Sequence, residues 1–205
     1  MPLTELEVPI NDSIVPEEVS TFLKEADLRI NAYFERHHVS DPIAAFVPSD
    51  FQIVYSSLRG IADAGLATGK LFCEWGSGYG VAAALASLLD FDAVGIEIDE
   101  ELFEGSRKLA EDFVLPVRFV RGDFIPPGSR AEFERLAKTS WVEQGGENGY
   151  ETLGLDPTDF NVVFVYPWPG EERIMDHIFE QNADSGALLL TYHMGGTMRL
   201  QRMTD

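Results

Sequence analysis

Cysteine is almost missing from this chain of 205 residues, which has one, Cys73. A lone thiol can neither close an intramolecular disulfide nor build a thiolate zinc site, and inside KLFCEW it reads as a small buried residue on a strand. Basic residues are scarce too: 15 stand against 35 acidic ones, for a formal net charge of −20. A surface of that sign repels polyanions and works against non-specific binding of nucleic acid or anionic membrane. Only scattered basic pairs oppose it, Arg118 with Arg121 and Arg199 with Arg202. Long apolar runs are also lacking. The one around Val162 to Tyr166 is strand-length, far below the roughly 20 residues a membrane span needs. The start, MPLTELEVPINDS, has neither the basic end nor the apolar core of a signal peptide. A soluble, cytoplasmic protein is expected. No Cys/His/acid spacing indicates a metal site.

What is present suffices for one good core: 45% of residues are hydrophobic and 24% charged. The N-terminal third reads as helical. After an extended, weakly ordered lead-in, Val19, Phe22, Leu23, Ala26, Ile30 and Phe34 recur at three- and four-residue steps, predicting an amphipathic helix from Pro16 to His37. Asp41-Pro42 breaks the pattern, Ser49-Asp50 restarts it, and Ile53, Val54, Leu58, Ile61 and Leu66 predict a second helix ending near Gly65 or Gly69. From residue 70 short apolar runs alternate with helical patterns, the signature of a parallel sheet flanked by helices. Strands are predicted at Leu71–Glu74, Ala93–Glu97, Val117–Arg121, Val162–Tyr166 and Ala187–Tyr192. Helices are predicted at Val81–Leu89, Glu100–Val114, Arg130–Lys138 and Glu171–Gln181. Thr139 to Asp159 is polar and glycine-rich and reads as a long surface loop or lid. The expected fold is a single α/β domain with a Rossmann-like, mostly parallel sheet and helices on both faces. Residues 1–69 would form a helical cover and 70–205 a cofactor-binding core.

The first strand runs into Glu74-Trp75-Gly76-Ser77-Gly78-Tyr79-Gly80 and then a helix. Glycines permit a sharp turn and a close backbone approach to a ligand, and the helix start offers unpaired N–H groups. The dinucleotide fingerprint needs G-x-G-x-x-G and places a pyrophosphate there. Here the third glycine comes one residue early, and an acid precedes the first glycine by two residues, poorly placed beside a pyrophosphate. A carboxylate beside a cationic ammonium is favoured instead. The same glycines can also serve only a tight strand-to-helix connection.

These residues resemble the first motif of the class I, seven-stranded S-adenosylmethionine-dependent methyltransferases, an acid followed by glycines at alternate positions: Glu74, Gly76, Gly78 and Gly80. The resemblance covers about residues 50 to 195. It implies that the glycine turn, Ser77 included, passes under the methionine part of S-adenosylmethionine and that Glu74 meets its amino group. Glu97, 23 residues after Glu74, ends the second strand, where a carboxylate can accept both hydroxyls of a ribose, with Ile98 beside it. Asp99 reads as a helix cap. The resemblance gives Asp123 the adenine amino group and lays Phe124 against the ring. At the end of the fourth strand, enzymes that methylate amines often carry an Asn or Asp before prolines and an aromatic; this chain has Tyr166-Pro167-Trp168-Pro169. That departs from the motif, yet aromatics there can form a cage for a cation. Tyr166, Trp168 and His193 are the candidate catalytic positions, His193 as an optional base. Glu171 and Glu172 read mainly as first-turn helix residues, the alternative being that one of them meets a cationic substrate.

After the fifth strand only MGGTMRLQRMTD remains, room for one further strand, so a shortened C-terminal edge is expected. A smaller sheet, an edge strand from a second copy in a dimer, or a chain cut short would each account for it. The entry segment FVPSDF also resembles that of some protein-lysine methyltransferases. The implied activity is methyl transfer from S-adenosylmethionine to a small-molecule or protein acceptor, lysine amines among them, with nucleic acid and membrane disfavoured by charge and hydropathy. A non-catalytic adenosyl-ligand module and an NAD-dependent oxidoreductase are the alternatives.

Overall fold

The computed structural model describes residues 2–37, 46–136, 142 and 145–205. Asp41-Pro42, Lys138 and the start of the predicted 139–159 loop lie outside them. Apolar periodicity builds α1 (Glu17–Arg36), which buries Val19, Phe22, Leu23, Ala26, Ile30 and Tyr33 along one face behind Pro16. Asp50 starts α2 (Phe51–Asp63) by accepting the N–H groups of Gln52 and Ile53.

The sheet strands are β1 (Leu3–Leu6), β2 (Leu71–Trp75), β3 (Asp92–Glu97), β4 (Arg118–Arg121), β5 (Val162–Val165), β6 (Leu188–His193) and β7 (Thr197–Met203). Their spatial order is β1-β7-β6-β5-β2-β3-β4. The five strands from β2 to β6 are mutually parallel, while β7 runs antiparallel to both β6 and β1. Helices α3 (Val81–Ser87), α4 (Glu100–Asp112), α5 (Arg130–Leu136), α6 (Gly149–Leu153) and α7 (Glu172–Asn182) complete the described elements, with short 3-10 turns at Pro127–Ser129 and Pro157–Asp159.

Strand alternation divides the core. On β5, Val162 and Phe164 pack with α1, α2 and α3, whereas Val163 and Val165 pack with α6 and α7. Helices therefore cover both faces. The strand order reverses between β2 and β5, and the crevice beyond their carboxyl ends is where open parallel sheets bind ligands.

Two expectations need correction. The N-terminal lead-in is not weakly ordered: Leu3 to Leu6 form β1, paired with β7 from Leu3↔Met203 to Leu6↔Leu200. The short C-terminal part is thus completed to seven strands by the chain's own start, without a second copy. Nor is the 139–159 segment wholly loop, since it holds α6, and Asp123 and Asn148 form a parallel bridge that pins it beside β4. Asp123 N–H donates to Glu147 O (2.7 Å) and Gly149 N–H to Asp123 O (3.1 Å).

Removing residues 2–6 would bare the β7 edge, leaving its ladder N–H and C=O groups unpaired. Urea unfolding should report a loss of about 1–3 kcal/mol, and light scattering should show concentration-dependent association absent from the full chain. Unchanged stability would show that β1 is dispensable to the sheet.

Candidate active site

A cavity of about 600 Å³ opens at the reversal point, within the size range of small-ligand sites. Its wall includes Glu74, Gly76 and Ser77 from the glycine turn, Glu97 to Asp99 beyond β3, Asp123 and Phe124 beyond β4, and Tyr166 to Pro169 beyond β5. Tyr33 and His37 at the end of α1, Phe46 to Ser49, Phe51 and Val142 also reach it. Five acids belong to its wall, Glu74, Glu97, Asp99, Asp123 and Glu171, and no Lys or Arg does among the described residues.

The spacing of the glycines has a backbone reason. Gly76, Gly78 and Gly80 adopt φ of +64°, +53° and +68°, the left-handed region that side chains resist. Phe46 packs where a Gly78 Cβ would stand, and Phe119 with Ser106 where one on Gly80 would stand. Ser77 N–H donates to Ile96 O at 3.0 Å, so the turn is stitched to the end of β3. The Ser77 hydroxyl is buried without a hydrogen-bond partner among the described residues. An orphaned polar atom on a cavity wall calls for a polar ligand or water.

Two buried carboxylates hold this end together. Glu97 accepts from Gly78 N–H (2.5 Å), Ile98 N–H (2.9 Å) and Asp99 N–H (2.9 Å), which fixes the turn relative to β3. Burial raises its pKa in spite of those three donors. Glu74 accepts from Ala83 N–H (2.8 Å) in the first turn of α3. Burial pushes its pKa from the ordinary 4.5 to about 8, against the Ala83 and Ala82 N–H groups, which lower it, and with a further push from the neighbouring Glu97 charge. Asp99 caps α4 through Leu102 N–H (2.8 Å), as its position predicts.

Asp123 lies at the cavity but its carboxylate is turned into the protein. It accepts from Ile125 N–H (2.8 Å) and Gly145 N–H (3.3 Å) and pairs with Arg130 (2.9 Å), leaving its side chain with no exposure. In this arrangement the acid ties β4 to the following loops and presents no exposed oxygen to a ring amine. Phe124 lines the cavity and stacks on Trp75 at 5.4 Å.

Tyr166 and Trp168 share the cavity wall, whereas His193 is not part of it. Alternation along β6 explains this. Tyr192 faces the Tyr166 side, edge-on at 4.8 Å, so Thr191 and His193 point to the opposite face and hydrogen-bond each other at 2.8 Å. Burial there lowers the His193 pKa. Sequence reasoning gave no site role to Tyr33, His37, Phe46 or Phe51, whose apolar or helix-end character carries no mark of a cavity wall.

A carboxyl group whose pKa is higher folded than unfolded keeps a proton that the unfolded chain releases, so its contribution to stability falls as pH rises from 4.5 through about 8. Glu74→Gln carries no such proton. In urea unfolding, its advantage over the natural chain should be near zero at pH 5 and reach about 2–4 kcal/mol at pH 8.5. A pH-independent difference would mean that Glu74 ionises without hindrance.

Neither a protein-family model nor a curated protein sequence matches the chain. Solved structures do. An RNA methyltransferase from Salinibacter ruber, in complex with S-adenosyl-L-homocysteine, is 19% identical over 77% of this chain and 93% of its own, with a TM-score of 0.52. An O-methyltransferase from Bacillus cereus, also in complex with S-adenosylhomocysteine, is 14% identical over 88% and 68%, with a TM-score of 0.51. A methyltransferase from Geobacter sulfurreducens is 14% identical over 97% and 99%, with a TM-score of 0.51. Together with the seven-stranded sheet, these likenesses show that the chain has the Rossmann-like α/β fold of the class I S-adenosylmethionine-dependent methyltransferases.

Proposed function

We propose that the protein is an S-adenosylmethionine-dependent methyltransferase acting on a small-molecule or protein acceptor in the cytoplasm. The observation that carries this reading is the chemistry of the cavity wall: Glu74, Glu97 and Asp99 line it, with no Lys or Arg among the described residues, around a turn of three left-handed glycines. A sulfonium with an ammonium group suits such a wall, whereas the pyrophosphate of a dinucleotide would meet like charge. Two of the structural relatives are complexes with S-adenosylhomocysteine, which supports the same choice.

The glycine turn and Glu74 would hold the amino-acid end, with the Ser77 hydroxyl as a ready donor. Glu97, already fixed by three N–H groups, retains acceptor capacity for ribose hydroxyls. Phe124 offers its ring to the adenine, with Ile98 beside it, and Asp123 acts on the ring through the loops it braces. When bound, the cofactor would supply a methyl carbon activated by a cationic sulfur. The protein's part is to hold the acceptor in line and exclude water, with Tyr166, Trp168, Tyr33, Phe46 and Phe51 on the cavity wall. No helix among the described residues is long and apolar enough to cross a membrane. The net charge of −20 argues against RNA as this chain's acceptor, although one relative is an RNA methyltransferase.

Calorimetry tests the reading. S-adenosylhomocysteine should bind and NAD should not, and Glu97→Ala should weaken binding at least tenfold, about 1.4 kcal/mol. A folded protein that fails to bind S-adenosylhomocysteine would overturn the proposal, and binding without methyl transfer to any metabolite or protein extract would make it a ligand-binding module. A second outcome follows from Glu74. An ammonium favours its ionised form, so affinity should rise from pH 6 to 8, with proton release visible as a dependence of the binding heat on buffer ionisation enthalpy.

A further inference from the structure

The cavity wall changes in chemistry from one part to another. Glu74, Glu97 and Asp99 belong to the chain leaving β2 and β3, whereas the remainder draws on three other segments: Phe46 to Ser49 with Phe51 at the entry to α2, Tyr166 to Pro169 beyond β5, and Met194 beyond β6. These segments meet. The Tyr166 ring packs edge-on against Tyr192 of β6 at 4.8 Å, and a Cβ on Gly196 would stand 3.1 Å from Ile53 of α2. Around them the wall carries one acid, Glu171, and no Lys or Arg among the described residues. Glu171 is already engaged within the protein: its Oε2 accepts Trp168 N–H at 3.2 Å, and its own N–H donates to Trp168 O at 2.9 Å. With Pro167 and Pro169 fixing their own φ angles, these bonds stiffen the turn that carries Tyr166 and Trp168.

Apolar surface is meanwhile left in water here. Val47 and Met194 are 45% and 68% exposed, and the rings of Phe46, Phe51, Tyr166 and Trp168 are only partly buried. Single exposed apolar residues are ordinary, but a group of them gathered on one concave wall marks a surface that a ligand covers. Several of these side chains are aromatic, and a ring packed on rings gains attraction beyond the area it buries.

We infer that the acceptor is an uncharged aromatic compound, its ring packed among Phe51, Tyr166 and Trp168 and its edge covering Val47 and Met194. This deepens the methyltransferase reading and rests on it only in calling the occupant the acceptor. A cation is drawn to aromatic rings as well, but here it would shed its water against apolar side chains while Glu74, Glu97 and Asp99 stand on the cofactor's part of the wall. An anion would shed its water on the same terms, in a cavity with no Lys or Arg among the described residues of its wall. The ring can come from a free small molecule or from a tyrosine side chain in a peptide.

A matched series tests this by ligand-observed NMR or calorimetry, with and without S-adenosylhomocysteine. 4-Ethylphenol is compared with 4-ethylcyclohexanol, which lacks the ring, with tyramine and 3-(4-hydroxyphenyl)propionate, which add a charge of either sign, and with Nα-acetyl-tyrosine methylamide. 4-Ethylphenol or the tyrosine amide should bind at least threefold more tightly than the saturated alcohol and about tenfold more tightly than either charged probe; whichever of the two binds better names the source. Trp168→Leu keeps an apolar side chain but removes the ring, and should abolish the preference over 4-ethylcyclohexanol while S-adenosylhomocysteine binds as before. Should that variant fail to fold, Met194→Glu brings a charge to an exposed rim position and should weaken 4-ethylphenol about tenfold. Tyramine binding as tightly as 4-ethylphenol, no preference for the aromatic ring, no binding by any probe, or affinities unchanged in both variants would overturn the inference. Failure of S-adenosylhomocysteine to bind would remove the methyltransferase reading instead, and the order of probe affinities measured without it would still decide what this wall receives.

Discussion

The Glu97 carboxylate is the constraint on which the rest of the site depends. A side chain at the tip of one strand gathers N–H groups from the glycine turn after another strand and from the two residues that follow its own. The Gly78 N–H is a buried donor, and leaving it without a partner would cost about 1–3 kcal/mol. The bond from Gly78 fixes how far the turn stands from β3. Burial holds the Glu97 pKa above its ordinary value in spite of these donors. A group in that balance responds strongly to any polar ligand brought beside it.

Much of the α/β core was legible because buried strands must be apolar and the helices between them must carry an amphipathic period. Val162 to Val165, an unbroken apolar run, could hardly be anything but a central strand, and Glu74 and Glu97 followed from strand ends where a sheet exposes its edge. β1 was not legible. Leu-Thr-Glu-Leu has no alternation to mark it and gains its structure only from β7, nearly the whole chain away. α6 was hidden by the glycine-rich segment around it, since a helix of five residues owes its existence to docking rather than propensity.

At the site, residue type was easier to read than orientation. His193 sits at the strand end where it was expected, but the two-residue period of β6 turns it from the cavity toward Thr191. Asp123 is likewise in place, with its oxygens committed to Ile125, Gly145 and Arg130. Glu171 read mainly as a helix-start acid, with contact to a cationic substrate as the alternative; its burial directly before α7 is a tertiary fact that local sequence does not encode.

The pairing of β1 with β7 also orders events in time. Leu3 finds its partner at Met203, and Thr204 N–H reaches back to Pro2 O at 3.1 Å. β1 can therefore be placed only after β7 has been made. Until then its two leucines and its ladder groups stay in solvent, and the acids at Glu5 and Glu7 help to keep that waiting segment from pairing with another copy. The acidity of this chain thus has a use in its assembly as well as in its finished cavity.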